Sequence, residues 1–157
     1  MMWIELNDAE QRLAKFLAKE RYKNARTKNI TNSKIGPQSD ELTDLNGIAA
    51  EIAWCKANNA YPDTTITDRL PQADALSLYG QAVDIKTTVY KNGHLVAAPW
   101  KTGDGVDVYC LLIGEFPRYR VAGYMSSDML LQAHRLKNLG HGAGFAAQQK
   151  ELTEDPF

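Results

Sequence analysis

Residues 73–88 read Ala-Asp-Ala-Leu-Ser-Leu-Tyr-Gly-Gln-Ala-Val-Asp-Ile-Lys-Thr-Thr. Asp74, Asp84 and Lys86 stand there among apolar and β-branched residues that favour strands. Tyr79-Gly80-Gln81 between the two halves predicts a hairpin turn. Centred on Gly80, antiparallel pairing sets Asp74 opposite Lys86 and Asp84 opposite Leu76. Side chains alternate along a strand, so these even-numbered residues share one face. Two carboxylates and an ammonium gathered beside a sheet core are costly unless something satisfies them. A hard cation such as Mg²⁺ would, because it takes carboxylates together with waters and phosphate oxygens. Asp74 and Asp84 can supply the carboxylates, and the Ile85 carbonyl lies beside them. The cation would polarise a phosphate and make a water easier to deprotonate. Lys86 would hold that water and stabilise the charge of the transition state.

Other elements must carry this hairpin. Leu6, Ala9, Leu13, Phe16 and Leu17 follow helical spacing and predict a helix over 5–24. Residues 25–40 read as a loop through Gly36 and Pro37. Ser39 or Asp40 can cap a second helix that runs to about Asn59. Asp44, Gly47 and Glu51 form a stripe on it at i, i+3, i+7. Glu51 lies in an apolar stretch and is either a boundary residue or a ligand aimed at the site. Gly47 weakens the helix relative to Ala and fits close approach of another backbone, or simply helix packing.

Beyond the hairpin the period stays short. Ala82 to Tyr90 predicts a strand, with an Asn-Gly turn at 91–94, and Leu95 to Ala98 continues the meander. Val106 to Ile113 and Tyr119 to Tyr124 predict two more strands. Ser126 or Ser127 can cap a helix ending near Gly140, and a glycine-rich turn leads into Phe145 to Leu152. This order predicts an α/β fold with a central mixed β-sheet and helices on its faces. The 157 residues fit one domain, 1–157.

Composition narrows the class. The chain is 44% hydrophobic and 24% charged, as in soluble globular proteins. It has no apolar run of membrane-spanning length, and its acidic, amphipathic start is unlike a secretory signal. A cytoplasmic protein without membrane contact is the expectation. Cys55 and Cys110 lie apart in apolar segments and read as reduced core thiols. The three histidines show no ligand spacing. Net charge is −1, yet Lys19, Arg21, Lys23, Arg26, Lys28 and Lys34 gather against Glu20 alone. Such a run sits on phosphates or forms a solvated face.

The constellation resembles the PD-(D/E)XK nuclease superfamily, in particular its small phage-encoded endonucleases. The residues that carry the likeness are Glu51 on a helix, Asp74 on a strand, and Val83-Asp84-Ile85-Lys86-Thr87-Thr88 ten positions after Asp74. Residues 107–114 and 119–124 are similar to the next two core strands, and 140–152 to the C-terminal segment. Asp74 lacks the proline that names the family. A literal Pro62-Asp63 also exists, but it falls in a loop before the strand, so Asp74 is preferred. The third motif carries Asp84 where Glu is commoner.

The resemblance implies a restriction-endonuclease-like fold and hydrolysis of DNA phosphodiester bonds. Asp74, Asp84 and Glu51 with the Ile85 carbonyl would hold Mg²⁺, or Mn²⁺ in its place, and Lys86 would complete the centre. Thr87 and Thr88 would contact the phosphate, and Gln148 or Gln149 could reach the site. Trp100 beside Lys101 could stack on a base or clamp the backbone, or be a lid or core-edge residue. DNA contacts are thus expected from Arg21, Lys23, Arg26, Lys28, Lys34, Thr87, Thr88 and Lys101, with a homodimer as one way to cut both strands. The alternative is a nuclease-fold module that binds DNA or a protein without cutting. An RNA substrate would use the same chemistry.

Overall fold

The computed structural model describes residues 2–27, 40–67, 73–140 and 142–156. Asn7 and Glu10 start the first helix by capping each other. Asn7 Oδ1 accepts from the Glu10 N–H at 2.9 Å, and Glu10 Oε1 accepts from the Asn7 N–H at 2.8 Å. Helix α1 follows (Asp8–Thr27). Before it lies a strand absent from the sequence reading, β1 (Trp3–Glu5), since three residues show no period to detect. Helix α2 (Asp40–Ala57) packs Ile48, Ala49, Ile52, Ala53 and Trp54 into the core. The predicted cap at Ser39 lies outside the described residues.

The strands are β2 (Ala75–Leu76), β3 (Ala82–Thr88), β4 (Leu95–Ala97), β5 (Val108–Glu115), β6 (Arg118–Ser126), β7 (Leu136–Asn138) and β8 (Ala143–Ala147). Among the described residues they form a five-stranded sheet, ordered β1-β6-β5-β3-β2, and a three-stranded one, ordered β4-β8-β7. Only β3 and β5 run parallel, so the larger sheet is mixed, as expected.

Two cores sandwich that sheet. On one face Val83, Ile85, Val108, Cys110, Leu112, Tyr119 and Tyr124 meet α1 and α2. On the other, Tyr109, Leu111, Ile113 and Met125 meet β4, β8 and Leu130 of the one-turn helix α3 (Ser127–Leu130). Helices were expected on both faces, and the second layer is instead mostly a small sheet. A bulge between Leu111 and Leu112 shifts the β5–β6 register and lets Tyr119, Val121 and Tyr124 share the helix side despite their mixed parity.

Three expectations change. Leu95–Ala97 leaves the meander and pairs with β8. The helix expected up to Gly140 stops at Leu130. Arg135 ties the chain down there, donating to the Met129 carbonyl at 2.9 Å and pairing with Glu151 at 3.1 Å. The hairpin register also moves by one pair. Gly80 N–H donates to the Ser77 carbonyl at 3.0 Å, and Gly80 takes φ +79°, which glycine adopts without a Cβ clash. The turn therefore centres on Tyr79, and Ala75 faces Val83 while Leu76 faces Ala82.

Burial works to raise the Glu10 carboxyl pKa, but the Lys56 ammonium at 2.8 Å and the Asn7 N–H outweigh it and hold the carboxyl below its ordinary value. Glu10→Gln should cost about 0.5–2 kcal/mol at pH 7 in denaturant melts. A depressed folded-state pKa gives stability that is complete above the unfolded value and lost as pH falls through the folded one. The stability difference should therefore be complete above the ordinary glutamate value of about 4.3 and shrink only as the pH falls below it.

Candidate active site

Strand β3 presents its odd and even residues to different layers. Val83 and Ile85 face the helices. Asp84 and Lys86 pair in register with Tyr109 and Leu111 of β5 and so face the small-sheet side. Asp84 is 4% exposed. Its Oδ1 lies 2.6 Å from the Lys86 ammonium, and its Oδ2 lies 3.8 Å from that of Lys101. The short contact is bent outside hydrogen-bond geometry, so Oδ1 is ion-paired yet has no hydrogen-bond donor among the described residues. A buried carboxylate needs both kinds of compensation.

Strand β2 covers only the first two residues of β3. Beyond it, the Asp74 side chain takes over the strand's role: its Oδ2 accepts from the Ile85 N–H at 2.7 Å. In a strand the N–H and C=O of one residue point to the same side, so the Ile85 carbonyl faces this same edge. Asp74 thus stands level with Asp84, one pair removed from the predicted position opposite Lys86, and on the same face because a shift of one pair preserves parity.

Charges link the neighbours in sequence. The Tyr109 hydroxyl is pushed up to about 12 by burial and then by Asp84 and Asp74. The Cys55 thiol is raised to about 12 by burial and then by Glu51 and Asp74. The Asp74 charge is thus felt both at Tyr109 and at Cys55. Glu51 belongs to α2, on the helix side, 4.0 Å from Arg21. Among the described residues no three His, Cys, Asp or Glu side chains cluster closely enough to cage a metal. Mg²⁺ does not require such a cage: one or two carboxylates with waters and phosphate oxygens suffice. Asp84, Asp74 and the Ile85 carbonyl fit that need at one sheet edge.

A cleft of about 880 Å³ opens beside Asp74, bordered by Tyr61, Asp63, Thr65, Leu76 and Gly105. Asp63, the rejected literal Pro-Asp, lies in its wall. Arg21 anchors this wall, donating to the Asp63 carbonyl at 2.7 Å and the Thr65 carbonyl at 2.8 Å. At 9% exposure Arg21 is an internal strut, which corrects its expected place on a DNA-binding surface. The helical turn, invisible in a run of basic letters, points position 21 inward. Lys23 and Arg26 remain exposed. Lys28 and Lys34 lie outside the described residues. Arg12, Lys15 and Lys19 join Lys23 and Arg26 on one exposed stripe of α1, about 21 Å long at 1.5 Å per residue. Reading the basic run as a block hid Arg12 and Lys15; helical spacing from Lys19 would have found them.

Thr88 shares the Asp84 face, but its Oγ1 accepts from the Tyr90 N–H at 3.2 Å. Thr87 turns to the helix side, and its hydroxyl is buried without a partner among the described residues. Gln149 holds the 91–93 turn through the Lys91 and Gly93 carbonyls, and Gln148 caps the last turn with Glu151. The sequence reading missed Tyr109, whose buried hydroxyl has no partner among the described residues. Only the parallel register shows that it stands beside Asp84.

Both cysteines are buried free thiols, and no helix among the described residues is long and apolar enough to cross a membrane. No protein-family model and no curated protein matches the chain.

Arg21→Ala should destabilise the protein by about 1–3 kcal/mol, since the Asp63 and Thr65 carbonyls of the cleft wall lose their charged donor. Lys23→Ala should change stability by less than about 0.5 kcal/mol. Paired urea melts measure both, and equal effects would return Arg21 to the surface set.

Proposed function

We propose that the chain is a metal-dependent nuclease of the PD-(D/E)XK kind, cutting DNA phosphodiester bonds at the open edge of β3. The observation that carries this reading is the buried Asp84 carboxylate paired with the partly exposed Lys86 at 2.6 Å, with Asp74 held against the Ile85 main chain at 2.7 Å. The restriction-endonuclease-like reading of the fold draws support from the order of α2, the β2–β3 hairpin, β5 and β6 around that edge.

Asp84 and Asp74 would hold the cation, with the Ile85 carbonyl as a neutral oxygen ligand and Glu51 reaching the same edge from the helix side. A bound Mg²⁺ or Mn²⁺ supplies charge neutralisation at the phosphate and an easier deprotonation of water. Lys86 has its ammonium on Asp84 before substrate arrives. Released from that contact, it can donate to a non-bridging phosphate oxygen or orient the attacking water. Burial beside Tyr109 keeps bulk water from screening these charges. The exposed α1 stripe would give the phosphate backbone its cations away from the centre, and Lys101 would supply one beside Asp84.

A second reading has its own observation. Asp84 is met by two lysines and Asp74 by a main-chain N–H, so much of the charge is balanced without metal. A module that binds nucleic acid without cutting would look the same.

Purified protein with Mg²⁺ or Mn²⁺ should nick plasmid, duplex, branched DNA or RNA. Lys86→Ala and Asp84→Asn should each lose at least about 100-fold in rate, with EDTA abolishing cutting. Activity unchanged in both variants would sink the assignment; binding with no cutting under any metal would favour the second reading. Replacing Lys15, Lys19 and Lys23 by Gln should flatten the salt dependence of duplex binding by up to about 3 in slope. An unchanged slope removes α1 from the interface.

A further inference from the structure

The loop at 98–105 joins β4 to β5 and carries a cation to the site. Its first turn closes where the Lys101 N–H donates to the Ala98 carbonyl at 3.1 Å. Its return leg bends at Gly103 and Gly105, with φ +88° and +76°, conformations in which a Cβ is strained. This path places the Lys101 ammonium 3.8 Å from Asp84 Oδ2. Asp84 has Lys86 nearer, at 2.6 Å, so an incoming anion that draws Lys101 away still leaves the carboxylate a cation.

The residue before it, Trp100, is 72% exposed. The other tryptophans are placed differently. Trp54 is fully buried and donates to the Tyr124 hydroxyl at 2.9 Å. Trp3 has the Arg118 guanidinium 4.5 Å from its ring centre. Trp100 is adjacent in the chain to Lys101, so the turn that brings Lys101 to Asp84 also holds an exposed indole at the same loop.

We propose that Trp100 and Lys101 form a subsite for an unpaired nucleotide next to the phosphate bound at Asp84 and Lys86. Lys101 takes that nucleotide's phosphate, and Trp100 stacks on its base. A base inside a duplex has both faces covered by its neighbours, so only an end, flap, gap or single strand presents a free face to the indole. The cation and the aromatic together favour a nucleic acid over an apolar partner, which would gain nothing from Lys101. As a place in cleavage the subsite rests on the nuclease reading; as a binding site it does not.

The test measures binding in EDTA, where nothing is cut, to a single strand, a blunt duplex and the same duplex with an overhang. Wild type should bind the overhang tighter than the blunt duplex by roughly 5- to 100-fold. Trp100→Ala should lose that preference with unchanged melting temperature, and Trp100→Phe should keep most of it. Indole emission should be quenched by the single strand in wild type and not in Trp100→Phe. Lys101→Gln should weaken overhang binding and lower its salt slope by about 1. Equal affinity of wild type for overhang and blunt duplex, no binding to any of the three, or a preference that survives Trp100→Ala would overturn the subsite. If the preference is present and depends on Trp100 but Mg²⁺ and Mn²⁺ produce no cutting, the subsite stands and the nuclease reading falls. Cutting that proceeds while Trp100→Ala binds as wild type does has the opposite meaning.

Discussion

A carboxylate on the inner face of a strand has to have its charge met where it stands, and Asp84 is only 4% exposed. The surroundings follow from that constraint. Lys86, two residues on, shares its face and comes to 2.6 Å. Lys101 arrives from a separate loop at 3.8 Å. Tyr109, the register partner on β5, stands beside Asp84, and burial and the charges of Asp84 and Asp74 raise its phenol pKa. A hydrophobic pair at 84 and 86 would pack the same space at less electrostatic cost. That the chain keeps the ion pair there is the physical reason for locating chemistry at this edge.

The brevity of β2 creates access. Among the described residues, two residues of pairing leave β3 from Asp84 onward without a neighbour strand on that side, and the Asp74 carboxylate accepts from the Ile85 N–H there. An uncovered strand edge invites pairing with another chain unless something occupies it. Here a charged side chain occupies it and lies beside the cleft that Arg21 helps to shape. The Arg21 guanidinium reaches the Asp63 and Thr65 carbonyls and lies 4.0 Å from Glu51. Helix α1 thereby links its inner face to the cleft wall, while its outer face carries the cationic stripe. One helix divides its basic residues between structure and surface according to the angle at which each leaves the axis.

The two helices and the main strands were legible because their periods are long enough to count. Val83, Ile85, Val108 and Leu112 alternate or run together as buried strands do, and α1 and α2 keep helical spacing over 20 and 18 residues. Shorter elements left no such trace. β1 and β7 span three residues each, too few to show a period, and β1 finds its partner in β6 far along the chain. The segment after Leu130 has apolar residues at helix-like intervals, but Arg135 finds the Met129 and Ala146 carbonyls and Glu151, and these contacts outweigh local propensity.

By itself the sequence determined that Asp84 and Lys86 share a face, because a period of two admits no other result once β3 is a strand. It also brought Asp74 to this end of β3 through a hairpin, although the turn centres on Tyr79 and sets Asp74 level with Asp84 rather than with Lys86. Tertiary structure alone decided the rest. It set which carbonyls Arg21 meets, and that Tyr109 lies beside Asp84. It put Glu51 on the opposite layer from Lys86, and it brought Lys101 to the carboxylate from 15 positions beyond Lys86. These depend on the parallel β3–β5 register, on the bulge in β6 and on the packing of α2. Each brings together residues whose separation along the chain is too great for local spacing to encode.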